Sequence, residues 1–116
     1  ARIGWVPPTS QKSIEVYVMT DDGGKIPHFH VRKYGDNHSF DWETCIKFDS
    51  AEYFKHGRYS DVLPKGYGKK IDDMLRKNNP KDPGRTYWQT AVIAWNSNNS
   101  DENLPFDTKQ PDYSKL

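Results

Sequence analysis

The residues best suited to chemistry are gathered in one stretch, Ile26-Pro27-His28-Phe29-His30-Val31-Arg32-Lys33-Tyr34-Gly35. Read as a strand, it places Phe29 and Val31 on one face and His28, His30 and Arg32 on the other. Imidazole titrates near neutrality and also ligates metals, so two reactions are open to this pair. In the first, His28 and His30 act as base and acid in metal-independent RNA cleavage, and Arg32 or Lys33 stabilises the phosphorane. Histidines at i and i+2 project side by side, however, whereas acid and base flanking a phosphorus need more separation. In the second, His28, His30 and a carboxylate, Glu43 or Asp41, hold a zinc ion with an open position for hydrolysis. A third reading has no reaction: the same side chains form cross-strand pairs on an exposed face that meets a partner.

These residues need a sheet to position them. Ile14 to Thr20 alternates with β-branched residues on one face and reads as a strand, and Asp21-Asp22-Gly23-Gly24-Lys25 reads as a turn. The histidine strand follows, then a second turn over residues 35–39. Phe40 to Phe48 alternates again, with Phe40, Trp42, Ile46 and Phe48 on one face and Asp41, Glu43, Cys45 and Lys47 on the other. Aligned apolar faces would bring Asp41 and Glu43 onto the histidine side. Residues 49–63 have no clear period, and Arg58 to Leu63 reads as a short strand or an extended lead-in.

Two helices come next. Gly66 and Gly68 weaken the start of the first, which should become firm near Lys69 with Ile71, Met74 and Leu75 as its apolar stripe. Asn78 to Gly84 is a run of breakers. Thr86 is a candidate N-cap for a second helix, whose stripe is Trp88, Ala91, Val92 and Trp95. The expected fold is therefore α+β: a three- to four-stranded antiparallel meander with two C-terminal helices packed on one face. Residues 1–12, with Pro7-Pro8, read as an extended N-terminal arm. Residues 13–99 form a single domain, and 100–116 a polar, largely flexible tail from which Leu104 and Phe106 are the candidates to dock back.

Composition narrows the classes. With 116 residues there is room for one domain, and aromatics at 14% against 34% hydrophobic residues imply a core built from large rings. A stacking surface for bases is the other use of such rings. The single cysteine, Cys45, rules out a disulfide within the chain and reads as an inert side chain in a reducing, cytoplasmic setting. No apolar run reaches the length of a membrane span, so no membrane role is expected. His38 and His56 fall in turns and read as surface residues. Residues 55–85 carry nine Lys/Arg against four Asp/Glu. Arg58, Lys65, Lys69 and Lys70, with Lys33 and Tyr34, are the candidates for binding RNA or DNA.

The Pro27-His28-Phe29-His30-Val31 box resembles a widespread family of small bacterial proteins of unknown function, marked by a Pro-His-x-His-Val/Ala strand. The likeness runs from Ile14 to Trp95 and includes the Leu63-Pro64 step before a helix and a later helix bearing a Trp such as Trp95. It implies an α+β fold and, because members often lie beside another small gene, a component of a toxin–antitoxin-like or phage/mobile-element pair whose partner is another small protein. The arm, the Pro/Gly-rich break between the helices and the tail depart from the family pattern. The leading expectation is a partner-binding domain; a ribonuclease toxin and a metal-dependent hydrolase are the alternatives. No cofactor is required by these residues, and zinc is the one they could hold.

Overall fold

The computed structural model describes residues 1–8, 13–19, 26–105 and 107–116. Four strands, β1 (Arg2–Val6), β2 (Ile14–Tyr17), β3 (His28–Tyr34) and β4 (Phe40–Lys47), lie side by side in sequence order. Each is antiparallel to the next, which gives a meander. Two helices follow, α1 (Tyr67–Leu75) and α2 (Tyr87–Asn98). The expected α+β class is the one observed.

Register fixes the two faces. Val16 lies opposite Val31, and Phe29 opposite Ile46. With Ile14 and Val18, these residues form a fully apolar face that packs with Ile71, Met74 and Leu75 of α1 and Trp88, Ala91, Val92 and Trp95 of α2. Burial of each such aliphatic or aromatic side chain contributes about 1.5–3 kcal/mol, so this layer is the main source of stability. Thr86 starts α2 with a reciprocal cap: its hydroxyl accepts from the Gln89 N–H, and its own N–H donates to the Gln89 side chain.

Both ends of the chain are more ordered than their composition suggests. Residues 2–6, read as an arm, are indeed extended, but they pair with β2 and send Ile3 and Val6 into the core. Residues 20–25, which include the turn expected at 21–25, lie outside the described set, as does Phe106. The segment read as a flexible tail is docked through Leu104, as expected, and through Tyr113, which the sequence reading missed. The buried Asp72 carboxylate accepts from the Tyr113 N–H at 3.0 Å and from Gln110 Nε2 at 3.0 Å, and it pairs with Arg76 at 2.9 Å. The Tyr113 hydroxyl donates to the Phe48 carbonyl at 2.8 Å and accepts from Trp88 Nε1 at 3.1 Å. Gly68 is what permits this contact: a Cβ there would lie 2.5 Å from the Tyr113 carbonyl oxygen and 2.8 Å from that of Leu116.

A bulge in β4 changes the expected face pattern. Lys33 pairs with Trp42 but Tyr34 with Phe40, so Asp41 is the extra residue. Phe40 is thereby turned to the histidine side, where the Arg32 guanidinium sits 4.3 Å from its ring centre. Asp41 pairs with Lys33 at 3.6 Å and so leaves the histidine face, contrary to the simple alternation.

Residues 49–63 decide the architecture of that second face. They form no regular strand, but they fold back along β4. The Phe54 N–H donates to the Cys45 carbonyl at 2.9 Å, and Asp61 Oδ2 accepts from the Glu43 N–H at 3.2 Å. Tyr59 and Phe54 are then laid over the imidazoles. The sequence reading left this face to solvent or a partner; the segment covers it instead.

Candidate metal centre

Three side chains converge beneath the covering segment. His28 comes from β3, Cys45 from β4 and His56 from the segment itself, and one ligand atom from each lies within 4.8 Å of the others. Strand pairing brings the first two elements together, since Cys45 is the direct cross-strand neighbour of His30. His56 arrives because the backbone reverses tightly there, with His56 and Tyr59 bonded to each other and Gly57 at φ 51°. His28 and Cys45 are fully buried, and His56 is half-buried.

The tautomers of both histidine ligands are set by backbone carbonyls. His28 Nδ1 is 2.7 Å from the Ile26 carbonyl oxygen, and His56 Nδ1 is 2.9 Å from that of Phe54. A carbonyl can only accept, so each Nδ1 carries a proton, and in the neutral ring that leaves the lone pair on Nε2. A metal-ligating imidazole is ordinarily oriented in this way, by an N–H bond from its other nitrogen. Two histidines on different elements share the arrangement.

His30 lies next to the trio. Its Nδ1 is 3.2 Å from Cys45 Sγ, and its ring centre is 5.0 Å from that of His28. Tyr17 stacks on it at 4.8 Å, and Tyr59 meets it edge-on at 4.7 Å. Phe54 and Trp95 contact the His28 ring at 4.8 and 5.3 Å. The walls are therefore aromatic and close His28, His30 and Cys45 off from water, while His56 stays half-buried. Tyr17 donates to Glu43 at 3.1 Å, and burial together with the Glu43 charge pushes the Tyr17 hydroxyl far above its ordinary pKa.

The residues singled out from sequence are dispersed. His28 and His30 are adjacent. Arg32 lies on the same side but in a neighbouring cluster, ion-paired with buried Glu15 at 2.6 Å and set 4.2 Å over the Tyr17 ring. Burial lowers the Arg32 pKa, but the hydrogen bond and charge of Glu15 raise it further. Glu43 shares the face yet is taken up by Tyr17, and the group that converges is His28, Cys45 and His56, with neither His30 nor a carboxylate in it. Among the basic candidates, Lys33 is paired with Asp41, and Arg58 donates to the Tyr59 hydroxyl on the covering segment. Lys69 pairs with Asp73 on α1, Lys70 lies 4.7 Å over Tyr67, Lys65 is exposed just before that helix, and Tyr34 packs beside Trp5. The basic residues are thus spread over β3, the covering segment, α1 and the residues just before it.

Alternation had already put Cys45 on the histidine side; its chemistry was discounted because a lone cysteine is usually inert. For His56 the sequence holds no periodic signal. No family model, curated protein or solved structure matches this chain.

Proposed function

We propose that this chain is a small metal-binding domain in which His28, Cys45 and His56 hold a borderline-soft divalent ion such as zinc. The observation that carries the reading is the convergence of one ring nitrogen from each of His28 and His56 with the Cys45 sulfur, from three separate elements, each imidazole being bonded through Nδ1 to a carbonyl. Tetrahedral zinc needs its nitrogen and sulfur ligands about 3.3–3.6 Å apart. From a separation within 4.8 Å, rotations moving atoms by about 1 Å suffice. A thiolate with two neutral imidazoles favours zinc over calcium or magnesium, which take oxygen ligands.

The role that fits this burial is structural. The ion would tie the covering segment, through His56, to two strands of the sheet. Metal-independent RNA cleavage gains no support, because His28 and His30 are at most 1% exposed and a phosphodiester must touch its base and acid. Three protein ligands leave a fourth position, as a hydrolytic zinc requires, but His28 and Cys45 are buried beneath Phe54 and Tyr59, which favours the structural role. Partner binding then belongs to the outer surface of the pinned segment, where Val62 is 50% exposed. A partner protein in a toxin–antitoxin-like pair would meet that surface rather than the imidazoles.

The test is metal stoichiometry and its chemistry. Purified protein should bind one zinc per chain, and cobalt in its place should give a thiolate-to-metal charge-transfer band. Cys45→Ser should abolish the band and His56→Ala should weaken zinc binding by at least about tenfold. Protein that takes up no metal, or variants that bind as tightly as the parent, would overturn the reading.

A further inference from the structure

A second feature of the molecule shares no residue with the metal centre. A groove of about 1280 Å³ runs between β1, the β3–β4 turn and the loop before α2. Its lining includes the rings of Trp5, Tyr34, Phe40 and Tyr87 and the cations Arg2 and Lys81, and it includes no Asp or Glu among the described residues. Trp5, Tyr34 and Phe40 are half-buried, so each keeps part of a ring in contact with solvent. They follow one another along the sheet, with ring centres 5.6 Å apart between Trp5 and Tyr34 and 5.0 Å between Tyr34 and Phe40.

We infer that this groove binds a short single-stranded nucleic acid. Three observations select that ligand. The volume exceeds the roughly 300–1,000 Å³ of sites for small molecules, and the shape is half-open, which suits a strand that passes through. Successive partly exposed rings, tilted by 50° and 63° to their neighbours, offer separate surfaces against which bases can pack without regard to sequence. The charge is complementary to phosphate. Buried Glu15 receives both Arg2 at 2.5 Å and Arg32 at 2.6 Å, so two guanidiniums meet a single carboxylate and the cluster keeps one net positive charge. The Arg2 guanidinium rests 4.5 Å from the Trp5 ring centre with its side chain 54% exposed, which aligns a phosphate-binding group with a stacking ring. Lys81 adds a solvent-exposed cation on the opposite wall.

The experiment is fluorescence anisotropy of the whole chain with labelled oligouridine and oligothymidine of about ten nucleotides, at several salt concentrations. The expected result is binding that weakens with salt. Trp5→Ala should weaken it by about fivefold or more. Lys81→Ala should lower the logarithmic salt slope by about 0.7. Lys115→Ala, exposed near the C-terminus and outside the groove, should change neither. Preference for the uridine or the thymidine strand then assigns the ligand to RNA or DNA. Should Trp5→Ala fail to fold, the exposed Lys81→Ala decides alone. The inference falls if neither oligonucleotide binds at low salt, if base-free polyphosphate binds equally well, or if Lys81→Ala leaves the slope unchanged.

Discussion

Removal of His56 separates metal binding from ordinary packing. With free zinc at about a hundred times its dissociation constant, an ion bound only by the folded state adds about 2.7 kcal/mol. Unfolding entropy near the midpoint is about 2.1 cal/mol/K per residue, which for 116 residues is about 0.24 kcal/mol/K. Zinc should therefore raise the parent's Tm by about 11 °C, and chelator should reverse the rise. His56→Ala should lose most of that response. In chelator the variant should differ little from the parent, because the half-buried ring contributes one carbonyl bond and its contact with Phe54 at 4.5 Å. These amount to about 1 kcal/mol, or about 4 °C. Differential scanning fluorimetry of both proteins, with zinc and with chelator, supplies the four midpoints. A parent that ignores zinc would refute the reasoning, as would a variant that keeps the full rise. A variant equally destabilised with and without metal would show that His56 acts by packing alone.

Three further outcomes follow from the fold. Asp72→Ala leaves the buried Tyr113 N–H without its acceptor and should cost about 2–3 kcal/mol. Hydrogen exchange should then quicken across residues 107–116, and unchanged protection there would contradict the docking described. Gly68→Ala improves helix propensity by about 1 kcal/mol, yet its Cβ would lie 2.5 Å from a backbone oxygen, so the net effect on Tm should be a decrease. An increase would show that the C-terminal segment can shift at no cost. Burial raises the pKa of both Tyr17 and Tyr113, so the folded state keeps them neutral where the unfolded chain ionises. Their contribution is fully present below about pH 10 and is lost above it, by up to about 1.4 kcal/mol per pH unit for each. Urea midpoints from pH 9 to 11 should fall accordingly, and Tyr17→Phe should flatten the fall.

The layer that holds the molecule together was legible in the sequence because it follows simple periods. Ile14, Val16, Phe29, Val31 and Ile46 recur every second residue, and Trp88, Ala91, Val92 and Trp95 recur at helical spacing. Period also placed Glu43 and Cys45 beside the histidines. It failed at Phe40, because a bulge adds one residue and inverts every assignment beyond it. It failed again for residues 2–6 and for Tyr113. A strand five residues long next to two prolines, and a lone tyrosine in a polar segment, acquire their meaning from partners far along the chain.

The same distinction explains why the site was half seen. A period-2 argument can bring His28 and His30 to one face, but it supplies a third ligand only from another periodic element, hence the expectation of Glu43. The cluster in the structure leaves out both Glu43 and His30 and includes Cys45 and His56, the latter from a segment with no period. His56 lies where the chain doubles back over β4, held by the Cys45 carbonyl and by Tyr53 opposite Ile46. This placement changes the chemistry as well as the ligand list. Two strand histidines and a surface carboxylate would make a shallow site open to water, suited to hydrolysis. Two carbonyl-oriented imidazoles and a buried sulfur, roofed by Phe54 and Tyr59, make a closed one. On the proposed reading, a site of this kind would hold an ion by excluding competing water, and what it would produce is a fixed surface on the covering segment. The position of one histidine in a loop is then what separates the proposed scaffold from a catalyst.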